Sequence, residues 1–186
     1  MAISDIHASA RQRMQKAVEA LHKDLQAIRT GRASAALVDH VRVDYFGSMM
    51  PINQLGTVTV PESRMIVIQP WDRKSLAAIE KAIQKSDLGL TPNNDGSVIR
   101  LVLPQLTEQR RKELAKMVQK RVEEGRVAVR NIRRDAHDEL RKMEKSHDAS
   151  EDEVRRATDQ LQKTTDQFVG EVDKLGKEKE AELMEV

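Results

Sequence analysis

Near the start of the chain, apolar and small residues recur at steps of three or four: Ile3, Ile6, Ala10, Met14, Ala17, Leu21, Leu25 and Ile28. That spacing keeps side chains on one face of a helix with about 3.6 residues per turn. The pattern predicts one amphipathic helix over residues 4–29. It is expected to stop at Thr30-Gly31, where glycine supplies the backbone freedom that ends helices.

The same period returns after Pro104. Thr107 is the expected N-cap, and Glu108 stands where a negative charge favours the positive end of the helix dipole. The apolar stripe then runs Leu114, Val118, Val122, Gly125, Val129, Ile132, Ala136, Leu140 and Met143. Continuous to Lys145, this helix would be about 57 Å long at 1.5 Å per residue. Gly125 falls on the stripe itself, where it either permits a close helix approach or merely weakens the helix.

Ser150-Glu151-Asp152-Glu153 reads as a capping box, in which serine and glutamate side chains each satisfy a free backbone N–H. It opens a third helix whose inner face carries Val154, Ala157, Leu161, Thr165, Phe168, Val172, Leu175 and Leu183. The short link Ser146-His147-Asp148-Ala149 makes the second and third helices antiparallel neighbours. Their leftover apolar surface calls for the first helix, giving a three-helix bundle.

Between the first and second helices the pattern changes to short alternating runs. Val41–Tyr45 and Val98–Leu103 read as strands, Thr57–Val60 and Met65–Gln69 as shorter ones. Turns are expected at Gly47, Pro51, Gly56, Pro61 and Asn93-Asn94-Asp95-Gly96, and Asp72 is a candidate cap for a helix that turns Leu76, Ile79 and Ile83 inward. The predicted fold is α+β in two domains: a long antiparallel three-helix bundle from residues 1–30 plus 105–186, and a small, β-rich α/β domain inserted at 31–104. The chain crosses between them at 30–34 and 103–106, either as a hinge or as plain connectors of a rigid two-lobed protein.

Composition narrows the chemistry. With two Phe, one Tyr and one Trp, the cores must be aliphatic. The absence of cysteine excludes a disulfide framework and thiol-based zinc or redox sites. No glycine-rich phosphate loop, His-Glu-x-x-His or Gly-x-Ser-x-Gly occurs, and His7, His22, His40, His137 and His147 share no ligand-like spacing with carboxylates. No cofactor, metal or catalytic group is therefore expected. The start of the chain has no basic stretch leading into an apolar one, and no run approaches the ~18 apolar residues of a membrane span. A soluble, unprocessed, cytoplasmic protein without a membrane partner is expected.

Charge is uneven. Residues 110–134 hold ten Lys/Arg against three Glu, whereas 135–186 hold nine against sixteen acids. Within the basic stretch, Arg126, Arg130 and Arg133 are spaced i, i+4, i+7, with Arg134 beside them and no acid between Arg126 and Arg134. This face lies one residue past the core stripe, about 100° around the helix, so the guanidiniums flank the buried seam. One reading is a solvated basic face paired with the acidic third helix. The other is phosphate binding, which the choice of arginine at all four positions favours, because a planar guanidinium offers paired donors where lysine offers a point charge. So few aromatic residues argue against base stacking, leaving recognition of RNA shape and phosphates. Arg29 and Arg32 would extend the same surface if the end of the first helix packs beside the middle of the second.

Four longer motifs carry a resemblance: Ile28-Arg29-Thr30-Gly31-Arg32-Ala33-Ser34, Ser86-Asp87-Leu88-Gly89-Leu90-Thr91-Pro92-Asn93, the run Arg126 to Ala136, and Glu180-Ala181-Glu182-Leu183-Met184. With them the chain resembles the ribosome recycling factor family over essentially its whole length. The resemblance implies an L-shaped monomer that binds large-subunit ribosomal RNA after peptide release. It also implies that elongation factor G, hydrolysing GTP, supplies the force for subunit splitting. Arg29, Arg32, Arg130 and Arg133 match the family's RNA contacts, and Thr30, Gly31, Pro104, Gln105 and Leu106 match its hinge. Ala35 departs from the proline that many members carry there, removing a φ restraint just past the first crossing. Two other functions stay open on the residues alone: a helical protein-binding scaffold, and an RNA-modifying enzyme with an unrecognised site.

Overall fold

The structure is a computed structural model that describes residues 2–185. Four α-helices, α1 (Ile3–Ala27), α2 (Leu76–Lys85), α3 (Glu108–Lys145) and α4 (Glu151–Met184), accompany six strands. The strands are β1 (Arg42–Tyr45), β2 (Ser48–Pro51), β3 (Gly56–Glu62), β4 (Met65–Pro70), β5 (Pro92–Asn94) and β6 (Ile99–Val102). The chain divides into two compact units, one of residues up to Arg29 together with Glu108–Glu185, the other of Thr30–Thr107.

In the helical unit, α3 runs antiparallel to both its partners. Arg13 reaches Asp135 at 2.7 Å, while Leu21 lies beside Gly125, so α1 descends as α3 ascends. Gly125 also faces Val172, and Gly176 faces Val122, which gives the same opposition between α3 and α4. The buried stripe of α3 is Leu114, Val118, Val122, Gly125, Val129, Ile132, Ala136 and Leu140, as its periodicity predicts, with Met143 only half-buried. Of the two readings of Gly125, close approach is the one observed: a Cβ there would lie 3.0 Å from Leu21 Cδ2.

The stripes of α1 and α4 differ in detail from expectation. Val18 rather than Ala17 is buried on α1, because a seven-residue step from Leu25 to Val18 keeps the longer side chain on the seam. On α4, Leu175 is half-buried while Thr164 and Gly176 join the core. A Cβ at Gly176 would sit 2.7 Å from Val122 Cγ2, so the seam there takes glycine and not a larger residue, and Thr164 enters the core with its hydroxyl 3.0 Å from His7 Nε2. Thr165 hides its hydroxyl by donating to the Leu161 carbonyl at 2.8 Å. The capping box forms as expected: Glu153 N–H donates to Ser150 Oγ at 3.3 Å and Ser150 N–H to Glu153 Oε2 at 2.8 Å. The bonds that the Ser150 N–H and then the Ser150 hydroxyl, at 2.7 Å, donate to the Glu153 carboxylate hold it below its ordinary pKa.

Helix α1 ends earlier than predicted. Ile28 is already extended, at φ −76° and ψ 111°, and buried, with its N–H closing a tight last turn on Leu25. Gly31 takes the left-handed conformation, φ +76°, inside the crossing rather than at the helix end.

The insert has two antiparallel sheets, β1-β2 and β3-β4-β6-β5, closed over an aliphatic core that includes Val43, Ile52, Ile66, Ile68, Ile79 and Ile99. Asp72 caps a short 3₁₀ turn, Arg73–Ser75, that leads into α2, accepting from the Lys74 N–H at 3.0 Å. Four expected turns prove to be strand. Pro51 closes β2, Gly56 and Pro61 lie in β3, and Asn93 and Asn94 belong to β5, because pairing with β1, β4 and β6 holds these residues in extended ladders that outweigh local turn preference. The turn proper begins at Asp95, whose side chain accepts from the Ser97 and Val98 N–H groups at 2.9 Å each and pairs with Arg100. Those bonds, Val98 first, lower its pKa from 3.8 to about 2.

Candidate nucleic-acid interface

A 38-residue helix without interruption is a rigid ruler for charge, and α3 turns Arg126 and Arg133 toward α4. Arg126 donates through Nε to Asp173 Oδ1 at 2.7 Å and through Nη1 to Glu123 Oε2 at 2.8 Å. Its side chain is 31% exposed, and the two carboxylates, Glu123 first, raise an already high pKa further. Arg126 is therefore spent largely inside the protein. The expectation of an uncompensated arginine run holds along the sequence but not in space, since acids arrive from one helical turn before and from the neighbouring helix.

The next arginines are freer. Arg130 keeps only a 3.9 Å approach to Glu123 and is 52% exposed. Arg133 donates Nη1 to the Gln162 amide oxygen at 3.0 Å, and Gln162 in turn donates to Asp166 at 2.8 Å. Asp166 thus turns the Gln162 carbonyl toward Arg133 and fixes where that guanidinium points without neutralising it. Arg134 is exposed and has no ion-pair partner among the described residues. A guanidinium has five N–H donors, so Arg130, Arg133 and Arg134 retain most of theirs for an outside acceptor. The matching acceptor is a row of phosphate oxygens, which take paired, charge-assisted bonds.

The Arg126–Asp173 and Arg133–Gln162 contacts were not readable along the chain, because they depend on the register between α3 and α4. Glu123 was readable, lying three residues before Arg126 on the same face.

Within the helical unit, Arg29 lies past the end of α1, away from the level of Arg126 to Arg134. The register set by Leu21 beside Gly125 and Arg13 beside Asp135 carries the end of α1 to the level of Lys120. That is about ten residues, or ~15 Å at 1.5 Å per residue, before Arg130. The end of α1 therefore packs beside the N-terminal part of α3 rather than beside its arginine-rich stretch. Arg29 is exposed as the last residue of the helical unit before the crossing, and Arg32 is an exposed residue of the other unit.

Of the residues at the crossings, Thr30 is buried, and a Cβ at Gly31 would meet Leu106 Cγ at 3.2 Å, so the outgoing and returning segments touch there. Ala33 N–H and Leu103 N–H donate to the Ser63 and Arg64 carbonyls at 2.7 and 2.8 Å, which ties both segments to the β3–β4 turn. Pro104 and Gln105, between these anchors, are exposed.

Among the described residues, no three His, Asp or Glu side chains are grouped to hold a metal ion, and no helix is long and apolar enough to cross a membrane.

A family model described as "Ribosome recycling factor" matches residues 21–184. A protein named ribosome-recycling factor from Geobacillus thermodenitrificans is 58% identical over 95% of this chain and 96% of its own length. One from Dehalococcoides mccartyi is 53% identical over 99% of this chain and 100% of its own. A solution structure of ribosome recycling factor aligns with TM-score 0.76 at 47% identity, covering 100% of this chain and 99% of that one. A second, TM-score 0.65 and 48% identity, covers 98% and 99%; it comes from models of the T. thermophilus ribosome recycling factor and E. coli elongation factor G bound to the E. coli post-termination complex.

Proposed function

We propose, for a chain that belongs to the ribosome recycling factor family, that it binds the post-termination ribosome through phosphates of large-subunit RNA. With elongation factor G and GTP it then promotes dissociation into subunits and release of mRNA and tRNA. The observation that carries the RNA contact is the row Arg130, Arg133 and Arg134, held at fixed spacing on one helix with most donors unspent. Arg126 supports the row from behind by holding Glu123 and Asp173, and Arg29 and Arg32 add basic groups at the first crossing. Support for the partner comes from the structurally similar recycling factor seen with elongation factor G on a post-termination complex. The chain acts by binding and transmitting movement, and the GTPase is the motor.

In this reading the segments around Thr30, Gly31, Pro104, Gln105 and Leu106 act as the hinge. Gly31→Ala would place a side chain at φ +76°, costing ~1–2 kcal/mol, against Leu106. It should leave ribosome binding intact while slowing splitting.

The decisive experiment compares wild type with Arg133→Ala and Arg130→Ala in binding to purified large subunits, and in a splitting assay with elongation factor G and GTP. Each loss of a charge-assisted contact should cost about 1.5–3 kcal/mol of binding, with melting unchanged. Wild-type affinity should fall steeply with salt as counterions are released. Binding that ignores both salt and the two substitutions would overturn the proposed RNA face and leave a protein-binding scaffold as the reading.

A further inference from the structure

Each strand at the edge of a sheet exposes N–H and C=O groups that can pair with another chain, and proteins blunt such edges with proline, bulges or coverage. Four strands of the insert are edges: β1 and β2 in the small sheet, β3 and β5 in the larger one. Three of them carry proline, Pro51, Pro61 and Pro92, and β3 is also irregular between Thr59 and Glu62. Strand β1, Arg-Val-Asp-Tyr, has neither device.

The register tells which of its groups are free. Phe46 and Gly47, with φ of +51° and +84°, form a two-residue hairpin turn, so Tyr45 and Ser48 are its closing pair. In such a hairpin the closing pair exchanges both backbone bonds and the bonded pairs then alternate. Val43 and Tyr45 therefore bond to β2, and the N–H and C=O groups of Arg42 and Asp44 point away from it. Among the described residues those outward groups have no backbone partner.

The space beside them is open. A cleft of about 650 Å³ lies between β1 and α2, a size usual for ligand sites. Arg42 and Asp44 form one wall, half-buried Ala78 and Ala82 give an apolar strip on the other, and Lys81 and Lys85 stand exposed one helical turn apart. Arg42, Lys81 and Lys85 have no ion-pair partner among the described residues, whereas Asp44 already accepts the Gly47 N–H at 2.9 Å. Asp87, exposed on the same cleft, brings one unspent carboxylate against these three cations, so the unspent charge is net positive and concentrated at Arg42, Lys81 and Lys85.

We propose that this cleft takes an extended, acidic segment of a partner protein as an added strand. The segment's backbone pairs with Arg42 and Asp44, and its carboxylates face Lys81 and Lys85. Strand addition supplies main-chain bonds for affinity, and alternate side chains supply specificity. An RNA strand has no backbone N–H and C=O ladder to match the free edge, so a peptide is the better fit. The inference concerns only the insert and stands apart from the arginine face of α3.

The test uses the ¹⁵N-labelled full chain and a peptide of alternating glutamate and valine, acetyl-Thr-Glu-Val-Glu-Val-Glu-Thr-amide. Its binding should shift the Arg42 and Asp44 amides and slow their hydrogen exchange. Lys81→Glu combined with Lys85→Glu should weaken binding at least tenfold. Arg42→Pro, which deletes an outward N–H and spares the hairpin ladder, should weaken it similarly, and Arg133→Ala should leave it unchanged. No amide shift at millimolar peptide, or a shift without slower exchange at Arg42 and Asp44, would overturn the proposal. So would an oligouridylate that occupies the same lysines while the peptide does not bind, which would assign the cleft to phosphate.

Discussion

Helices α1, α3 and α4 bury one long stripe each and meet closely enough that two of the contact positions are glycines, whereas the insert closes an aliphatic core with strands of three to seven residues. In the helical unit a functional face is written on a single element: the arginines of α3 share a face because a helix repeats every 3.6 residues. In the insert, the groups left free for a partner are set by which strand pairs with which. One unit displays side chains on a rigid rod, and the other displays unpaired backbone. Binding chemistry in the first survives local softening, while in the second it depends on sheet register.

The sharpest way to separate the two is to damage one core alone. At Gly56 a Cβ would run into the Gln69 carbonyl oxygen and lie 2.7 Å from Pro70 Cα, both backbone atoms of the paired strand, which cannot rotate away. Gly56→Ala should cost the insert about 3 kcal/mol, the upper end of ordinary overpacking. Hydrogen exchange should accelerate in β3, β4 and β6 while the amides of α1, α3 and α4 stay protected. Equal acceleration in both units would show that they unfold as one and break the comparison.

The corresponding change in the helical unit is milder because a side chain, not backbone, is in the way. Gly176→Ala gains about 1 kcal/mol of helix propensity but pushes a methyl to within 2.7 Å of Val122 Cγ2. A net loss of about 1–2 kcal/mol is expected in urea melts. Combining it with Val122→Ala should recover part of that loss relative to the sum of the single changes, a coupling a double-mutant cycle reads directly.

Smaller still is the start of α4. Ser150→Ala removes an acceptor for the Glu153 N–H and should cost about 1 kcal/mol. The effect should be confined to the first turn, visible as faster exchange at Glu153 and Val154.

The smallest effect is a pH dependence in the insert. Asp95 has a folded pKa of about 2 against an ordinary 3.8, so its stabilising bonds are fully present above the ordinary value and are lost as pH falls through the interval toward 2. The Ser97 and Val98 amide signals should titrate in that window and the helical unit's amides should not. Asp95→Asn should flatten the acid limb of the insert's stability.

Much of this molecule was legible along the chain because helical periodicity and capping are local. The stripe of α3, the capping box at Ser150 and the shared face of Arg126, Arg130 and Arg133 all follow from spacings of three, four and seven residues, which a helix converts into geometry unaided. The strands Arg42–Tyr45, Gly56–Glu62, Met65–Pro70 and Ile99–Val102 were also visible within a residue or two at each end. Ser48–Pro51 and Pro92–Asn94 were not, since their residues prefer turns and become strand only through partners elsewhere.

Tertiary structure alone decided the rest. That Arg126 is neutralised by Asp173, 47 residues away, that Gly125 serves close packing, that the end of α1 lies level with Lys120, and that β1 keeps a free edge are all facts of register between distant elements. Local sequence sets which face an element shows. Only the packing of many side chains at once sets what that face meets, because sliding one helix by a turn or one strand by a residue leaves every local spacing unchanged and alters every contact.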